Sequence, residues 1–253
     1  MKNRLIKTLN IKRFKLVLLL EGLLVGILAG LVIVGYRICL TNGALWLQRI
    51  LAYCKQSLFT IIIWFVILFV IALVVTKLLD WESLISGSGI PQLEGELAGK
   101  IDAKWWRVLI AKFFGGFLAN FSGLALGREG PSIQLGAMVG KGIGKVLKRG
   151  KTEERYLLTC GASAGLAAAF HAPLAGVMFA LEEVHKHFSA PLLISVMTSS
   201  IAADYLMSSI LGMAPVFSFN IHGTLPTQYY WMVIILGIIL GLLGAFYNKA
   251  LLF

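Results

Sequence analysis

Three near-continuous apolar runs, 16–36, 59–79 and 229–247, constrain this chain more than any other feature. Each is about 20 residues long, the length an α-helix needs to cross the hydrocarbon core of a bilayer. Only 14% of residues are charged and mean hydropathy is +0.84, whereas soluble domains carry about 25% charged residues. The chain therefore reads as an all-α, polytopic integral membrane protein. Its net charge of +11 does not mark a nucleic-acid binder, because the lysines and arginines gather between apolar runs, at Lys2 to Lys15 and Lys141 to Arg155. By the positive-inside rule both clusters face the cytoplasm, which predicts a cytoplasmic N-terminus in a plasma (inner) membrane. The first apolar run is too long for a signal-peptide core and lacks a clean cleavage pattern, so it is expected to be retained. Cys39, Cys54 and Cys160 have no metal-ligand spacing and read as packing thiols.

In chain order, residues 1–15 interleave basic and apolar side chains, as an amphipathic helix on the inner membrane surface does. A helix is predicted over 16–48, with Gly22, Gly26 and Gly30 forming a small-residue face for close helix contact. Another is predicted over 58–79. Residues 83–100 are then too polar and too short to span. Trp105, Trp106 and Arg107 read as an interfacial anchor ahead of a glycine-rich helix over 105–124. Helices are predicted over 131–148 and, after a basic loop, over 153–170. His171-Ala-Pro173 breaks the chain before a short helix, 174–184, ending in Glu182-Glu183. One or two helices fill 190–213, a polar loop runs 214–227, and a last helix runs from 228. Several of these segments are too short to cross a bilayer, and broken helices are tolerated at membrane depth only where they line a cavity or are buried in protein. Transporters use them to aim helix ends at substrate.

Two broken-helix starts carry the chemistry. Gly127-Arg128-Glu129-Gly130-Pro131 places an ionisable pair in an apolar sequence, where charge is expensive and usually functional. Proline suits a first helical turn, and the free amides of that turn attract anions, so Glu129 is expected where an anion would sit. Gly87-Ser88-Gly89-Ile90-Pro91 is the second start: glycines bare the backbone amides and Ser88 adds a hydroxyl donor. A helix start is worth about 0.3–1 kcal/mol per charge when exposed and up to about 2 when partly buried. Two such starts offset part of an anion's dehydration cost without trapping it. Read from residues alone, 127–131 is equally a polar loop between two helices, and 87–91 is more simply an ordinary capped turn.

Together, GSGIP at 87–91, GREGP at 127–131 and Glu182-Glu183 resemble the CLC family of chloride channels and chloride/proton antiporters. The resemblance extends through Pro91-Gln-Leu-Glu94-Gly95, Trp105-Trp-Arg-Val-Leu109, Lys112-Phe-Phe-Gly-Gly116, Gly161 to Phe170 and Ala172-Pro-Leu-Ala-Gly176. It implies a fold of broken and re-entrant helices, the first of two inverted repeats, in a transporter that is not an enzyme, needs no cofactor or metal, and forms a homodimer. It also implies that Ser88, with the backbone at Gly87, Gly89, Ile90 and Gly130, coordinates chloride. Glu129 becomes the gating glutamate, Glu183 the inner proton-transfer group, and Glu182 its helper. Ser88 favours chloride over nitrate, and Glu183 favours exchange over a channel or a fluoride exporter. Arg128 either draws anions to the outer mouth or reaches the headgroups. Glu94 and Lys112, lone charges in apolar stretches, are expected to form a buried supporting pair; two separate interfacial side chains are the alternative. His185 and His187, two apart, do not share a helical face and are not read as metal ligands.

The departure from the family pattern is length. The second repeat, which supplies further anion ligands, is not matched, although Gly26-Ile-Leu-Ala-Gly30 with Tyr36 resembles Gly237-Ile-Ile-Leu-Gly241 with Tyr247. The expected organisation is thus 1–15 amphipathic helix, 16–213 first repeat, 214–227 loop and 228–253 the first helix of a truncated second repeat. A passive chloride channel and a non-transporting half or assembly partner stand as alternatives to an antiporter. A hydrolase is disfavoured because no nucleophile–base pair occurs at usable spacing.

Overall fold

Apolar spans, glycine stripes and proline starts translate directly into helices. The computed structural model describes residues 2–55, 57–186, 188–213 and 226–251, with side chains from Leu16 onward. His187, the loop residues 214–225 and the side chains of the basic leader lie outside the described residues. The elements are α1 (Lys2–Cys54), α2 (Leu58–Trp81), α3 (Ile90–Leu97), α4 (Trp105–Phe121), α5 (Glu129–Val146), α6 (Lys151–Phe170), α7 (Pro173–Phe179), α8 (Ala190–Leu211) and α9 (Tyr230–Leu251). No strand occurs among the described residues. Among the described residues, four helical segments are long and apolar enough to cross a membrane: Leu16–Cys54, Leu58–Trp81, Ala190–Leu211 and Thr227–Leu251. Where the sequence suggests a leader helix followed by a separate span, α1 is unbroken, because no proline or glycine interrupts residues 2–21.

The small-residue stripe on α1 does what its spacing predicts. Gly22, Gly26 and Gly30 lie against Ser195, Ser199 and Ala203 of α8, a matching stripe also spaced by four. A Cβ at Gly22 would stand 2.7 Å from the Ser195 carbonyl oxygen, and one at Gly30 3.1 Å from the Ala203 Cα. Backbones this close maximise dispersion contacts, the main attraction available to helices in lipid. Helices α5 and α6 approach in the same way, Gly136 against Gly161 and Gly165 against Ser132. As a result α6 is buried continuously from Leu157 to Ala169, enclosed by α1, α5 and α8. The outer rows of α2 remain exposed, with Trp64 its one buried side chain, a surface suited to lipid or protein and not to water.

At the basic end, ion pairs centred on Lys141 and Arg149 tie the loops down. Lys141, fully buried on α5, donates to Glu96 (2.5 Å), Asp102 (2.7 Å) and the Ala103 carbonyl (2.7 Å). Glu96 also accepts from the Ala103 amide at 2.7 Å, so the α3–α4 loop is stapled onto α5. The hydrogen bond and charge of Lys141 hold the Asp102 carboxyl below the usual carboxylate range. With the folded value depressed, this contact stabilises above the ordinary Asp range and is lost as pH falls through the lowered value. Glu21 of α1 accepts from Arg149 Nε at 2.6 Å, joining α1 to the α5–α6 loop. Near Trp105, the Arg107 guanidinium lies over the rings of Trp106 (5.3 Å) and Trp81 (5.6 Å).

Residues 226–251 form a separate unit, a one-turn helix at Thr227–Tyr229 leading into α9. Within it every described side chain is exposed.

Candidate functional site

The loop before α3 is built by glycine and by three side chains that reach in from elsewhere. Gly87 (φ +65°) and Gly89 (φ +92°) hold left-handed conformations that a Cβ would strain. Between them, Ser88 Oγ accepts from the Ile90 amide at 3.4 Å, and Pro91 follows in the first turn of α3. The four carbonyls from Leu84 to Gly87 are all engaged. Gln134 of α5 donates to Leu84 (2.8 Å), Gln92 of α3 to Ser86 (2.9 Å), and Lys112 of α4 to both Ile85 (2.8 Å) and Gly87 (2.7 Å). Carbonyl oxygens repel an anion, so drawing four of them onto donors removes the groups that would oppose one. Lys112, 4% exposed, places its amino group behind the loop.

The second start meets the first directly. Arg128 precedes α5, Glu129 and Gly130 occupy its first turn, and Ser132 Oγ donates to the Arg128 carbonyl at 2.8 Å. A Cβ on Gly130 would lie 2.6 Å from the Ser88 carbonyl oxygen and 3.0 Å from its Cβ, so only glycine lets the two starts touch. The Glu129 carboxylate curls toward Gly127, where an added Cβ would be 2.7 Å from its Oε2. Ser88, Glu129, Gly87, Gly130 and Lys112 line one recess of about 500 Å³, floored by Gly115 and Gly116 of α4. The sequence motifs at 87–91 and 127–131, 40 residues apart, thus converge on one concavity.

Other expected site residues lie elsewhere. Glu94 and Lys112 do not pair: Glu94 sits 3.4 Å from Lys186, while Lys112 is consumed by carbonyls of the loop. The physical reason is reach, since Lys112 is held at the loop before α3 by the Ile85 and Gly87 carbonyls, whereas Glu94 lies a turn into α3, beside Lys186. Glu182 and Glu183 are exposed on a single π-helical turn, Ala180–His185, that continues α7. Such turns widen the helix by one residue and concentrate at functional sites. Glu182 faces a separate recess with Met178, Leu181, Lys186 and Phe188. His185 Nδ1 lies 2.9 Å from Thr159 Oγ1. The Arg128 side chain makes no hydrogen bond or ion pair among the described residues, and only its carbonyl is engaged. Sequence reading missed Gln92 and Gln134. A glutamine in the small-residue helix α5 was the available signal.

Residues 68–253 match the family described as voltage gated chloride channel. The chain belongs to this family. It is 35% identical over 249 residues to the H(+)/Cl(-) exchange transporter ClcA of Citrobacter koseri, covering 94% of this chain and 51% of that protein. The ClcA of Vibrio parahaemolyticus is 40% identical over 167 residues, 65% of this chain and 36% of the relative. Among solved structures, a slow cyanobacterial Cl-/H+ antiporter superposes with a TM-score of 0.81 at 33% identity, over 92% of this chain and 56% of the other. A CLC-type fluoride/proton antiporter shares the fold, with a TM-score of 0.68 at 23% identity. The chain spans about half the length of the curated relatives it matches.

Proposed function

We propose that this chain provides one half of a chloride/proton antiport pathway, with the recess between the starts of α3 and α5 as its anion site. The observation that carries this reading is the engagement of all four carbonyls from Leu84 to Gly87 behind Ser88. It leaves a hydroxyl, helix-start amides and a buried lysine charge to act on an anion, and no negative group but Glu129. The exchange activity named for its relatives agrees. Arg128 adds positive charge at the mouth, and Glu94 serves the inner rim through Lys186.

Glu129 is the gate. Its carboxylate, in the first turn of α5, competes with chloride for the same positive potential. Protonation removes the competition, so proton binding and chloride occupancy are linked. That competition is worth up to about 2 kcal/mol at a partly buried helix start, roughly 30-fold in occupancy. Glu129→Gln is therefore expected to carry chloride at a rate independent of pH, measured as chloride efflux from liposomes. Retention of the wild-type pH dependence would remove Glu129 from this role.

Glu183, aided by Glu182, transfers protons on the inner side. Glu183→Gln is expected to cut proton movement by about 100-fold, the scale of a lost acid–base group, while chloride efflux continues. Unchanged proton flux would argue for a different relay. In this reading 16–213 is a first repeat, and 228 onward opens a second. The complete transporter is a homodimer in the plasma membrane with its N-terminus in the cytoplasm. A second reading follows from the chain's half-length match to its relatives: a non-transporting half that works only with a partner segment. Flux that emerges only on co-expression with the remaining half would favour it.

A further inference from the structure

Arg37, His171 and Asp204 meet although they come from three different elements. Arg37 lies on α1, His171 at the break between α6 and α7, and Asp204 and Ser208 on α8. Arg37 Nη1 is 3.0 Å from His171 Nε2. A guanidinium only donates, so Nε2 holds a lone pair and the ring proton is on Nδ1. That nitrogen lies 3.3 Å from both Asp204 Oδ1 and Ser208 Oγ. Asp204 Oδ1 is shut off from solvent and makes no aligned hydrogen bond, a carboxylate oxygen placed for a cation that the neutral ring does not supply. The backbone of His171 is left-handed (φ +55°) and ends α6. By helical rise this spot is about 30 Å from Lys151, at the end of the bundle away from the basic loops. Arg128, ahead of α5, is near enough for its charge to act on Arg37.

We propose that His171 is a proton-operated latch on Arg37. The neutral ring holds the guanidinium through its Nε2 lone pair. A proton from hydronium at that face forms an N–H bond at Nε2, leaving water behind, and the Arg37 Nη1–H···Nε2 hydrogen bond breaks. Two cations then face each other and Arg37 is released, while the imidazolium is retained by Asp204. Among the described residues, the ionisable groups facing the ring are Arg37 from α1 and Asp204 from α8, with the hydroxyl of Ser208 beside it. Arg128 stands beyond Arg37. Release changes the distance between Arg37 and Arg128, and hence the positive field over the start of α5, where Glu129 sits. That consequence rests on the antiport reading; the latch itself does not.

The test is nitrogen NMR of the protein labelled at histidine and arginine in lipid nanodiscs, from about pH 8 to about pH 5, the range in which histidines change charge. The expected result is an Nδ1–H tautomer at the alkaline end. Conversion to imidazolium on acidification then coincides with a shift of the Arg37 guanidinium signal. In His171→Gln the amide oxygen accepts from Arg37 but takes no proton, so that shift is lost. An Nε2–H tautomer, a ring that stays neutral throughout, or an Arg37 signal indifferent to ring protonation would each overturn the latch. The wild-type spectra alone decide this, whether or not the chain carries chloride.

Discussion

Replacing Lys112 with methionine is expected to weaken halide binding at the recess by about 30-fold. A unit charge about 8 Å from an anion, at an effective dielectric constant of about 20, contributes about 2 kcal/mol, and each 1.4 kcal/mol is about tenfold. Methionine keeps most of the buried aliphatic volume but removes the ammonium and both of its hydrogen bonds. The carbonyls of Ile85 and Gly87 are then stranded, at about 1–3 kcal/mol for a buried acceptor. The loop relaxes, and its oxygens turn toward the space an anion would occupy. The measurement is halide binding by calorimetry on detergent-purified protein, with melting temperature recorded alongside. Binding within about twofold of wild type would show that Lys112 supports the fold and not the anion.

Gly136→Val is expected to be the most damaging of the helix-packing changes. At this crossing each glycine's missing Cβ would strike the other helix's backbone: Gly136 against the Gly161 carbonyl, and Gly161 against the Gly136 carbonyl. Backbone cannot rotate away as a side chain can. The helices must separate, and the buried stretch from Leu157 to Ala169 loses contact along its length. Overpacking usually costs about 1–3 kcal/mol, and a clash with backbone belongs at the upper end or above it. Since total stabilities are about 5–15 kcal/mol, most of the protein should aggregate on extraction. Gly35→Val is the control, because a Cβ there has nothing within 4 Å. A monodisperse, wild-type-like peak for Gly136→Val on size-exclusion chromatography would refute the close-packed crossing.

Both sites were half legible in the sequence. Local signals survived translation into structure: apolar runs became spans, glycine stripes became contact faces, and proline after glycine marked helix starts. Whatever depends on long-range pairing did not. Lys112 was visible as a lone charge, but its partners are carbonyls 25 and 27 residues away, and no residue type advertises a carbonyl. Charge complementarity suggested Glu94 instead, and Glu94 went to Lys186. Gln134 reaches back 50 residues to Leu84, and Lys141 finds Glu96 45 residues away. Arg37 and His171, 134 residues apart, meet only because α1 and α6 are neighbours in the bundle. The π-helical turn under Glu182 and Glu183 left no mark in composition, since it differs from an α-helix only in which amide reaches which carbonyl.

In the proposed antiport pathway the carboxylate of Glu129 and chloride exclude each other at one site, so that proton and chloride movements are tied together. The most direct test imposes a chloride gradient across liposomes containing the purified protein, with no initial proton gradient, and follows both ions at once. The expected result is proton movement against its own developing gradient, opposite in direction to chloride and lost in Glu129→Gln. A chloride gradient that dissipates while the proton signal stays flat would contradict coupling and leave a passive chloride pathway in its place.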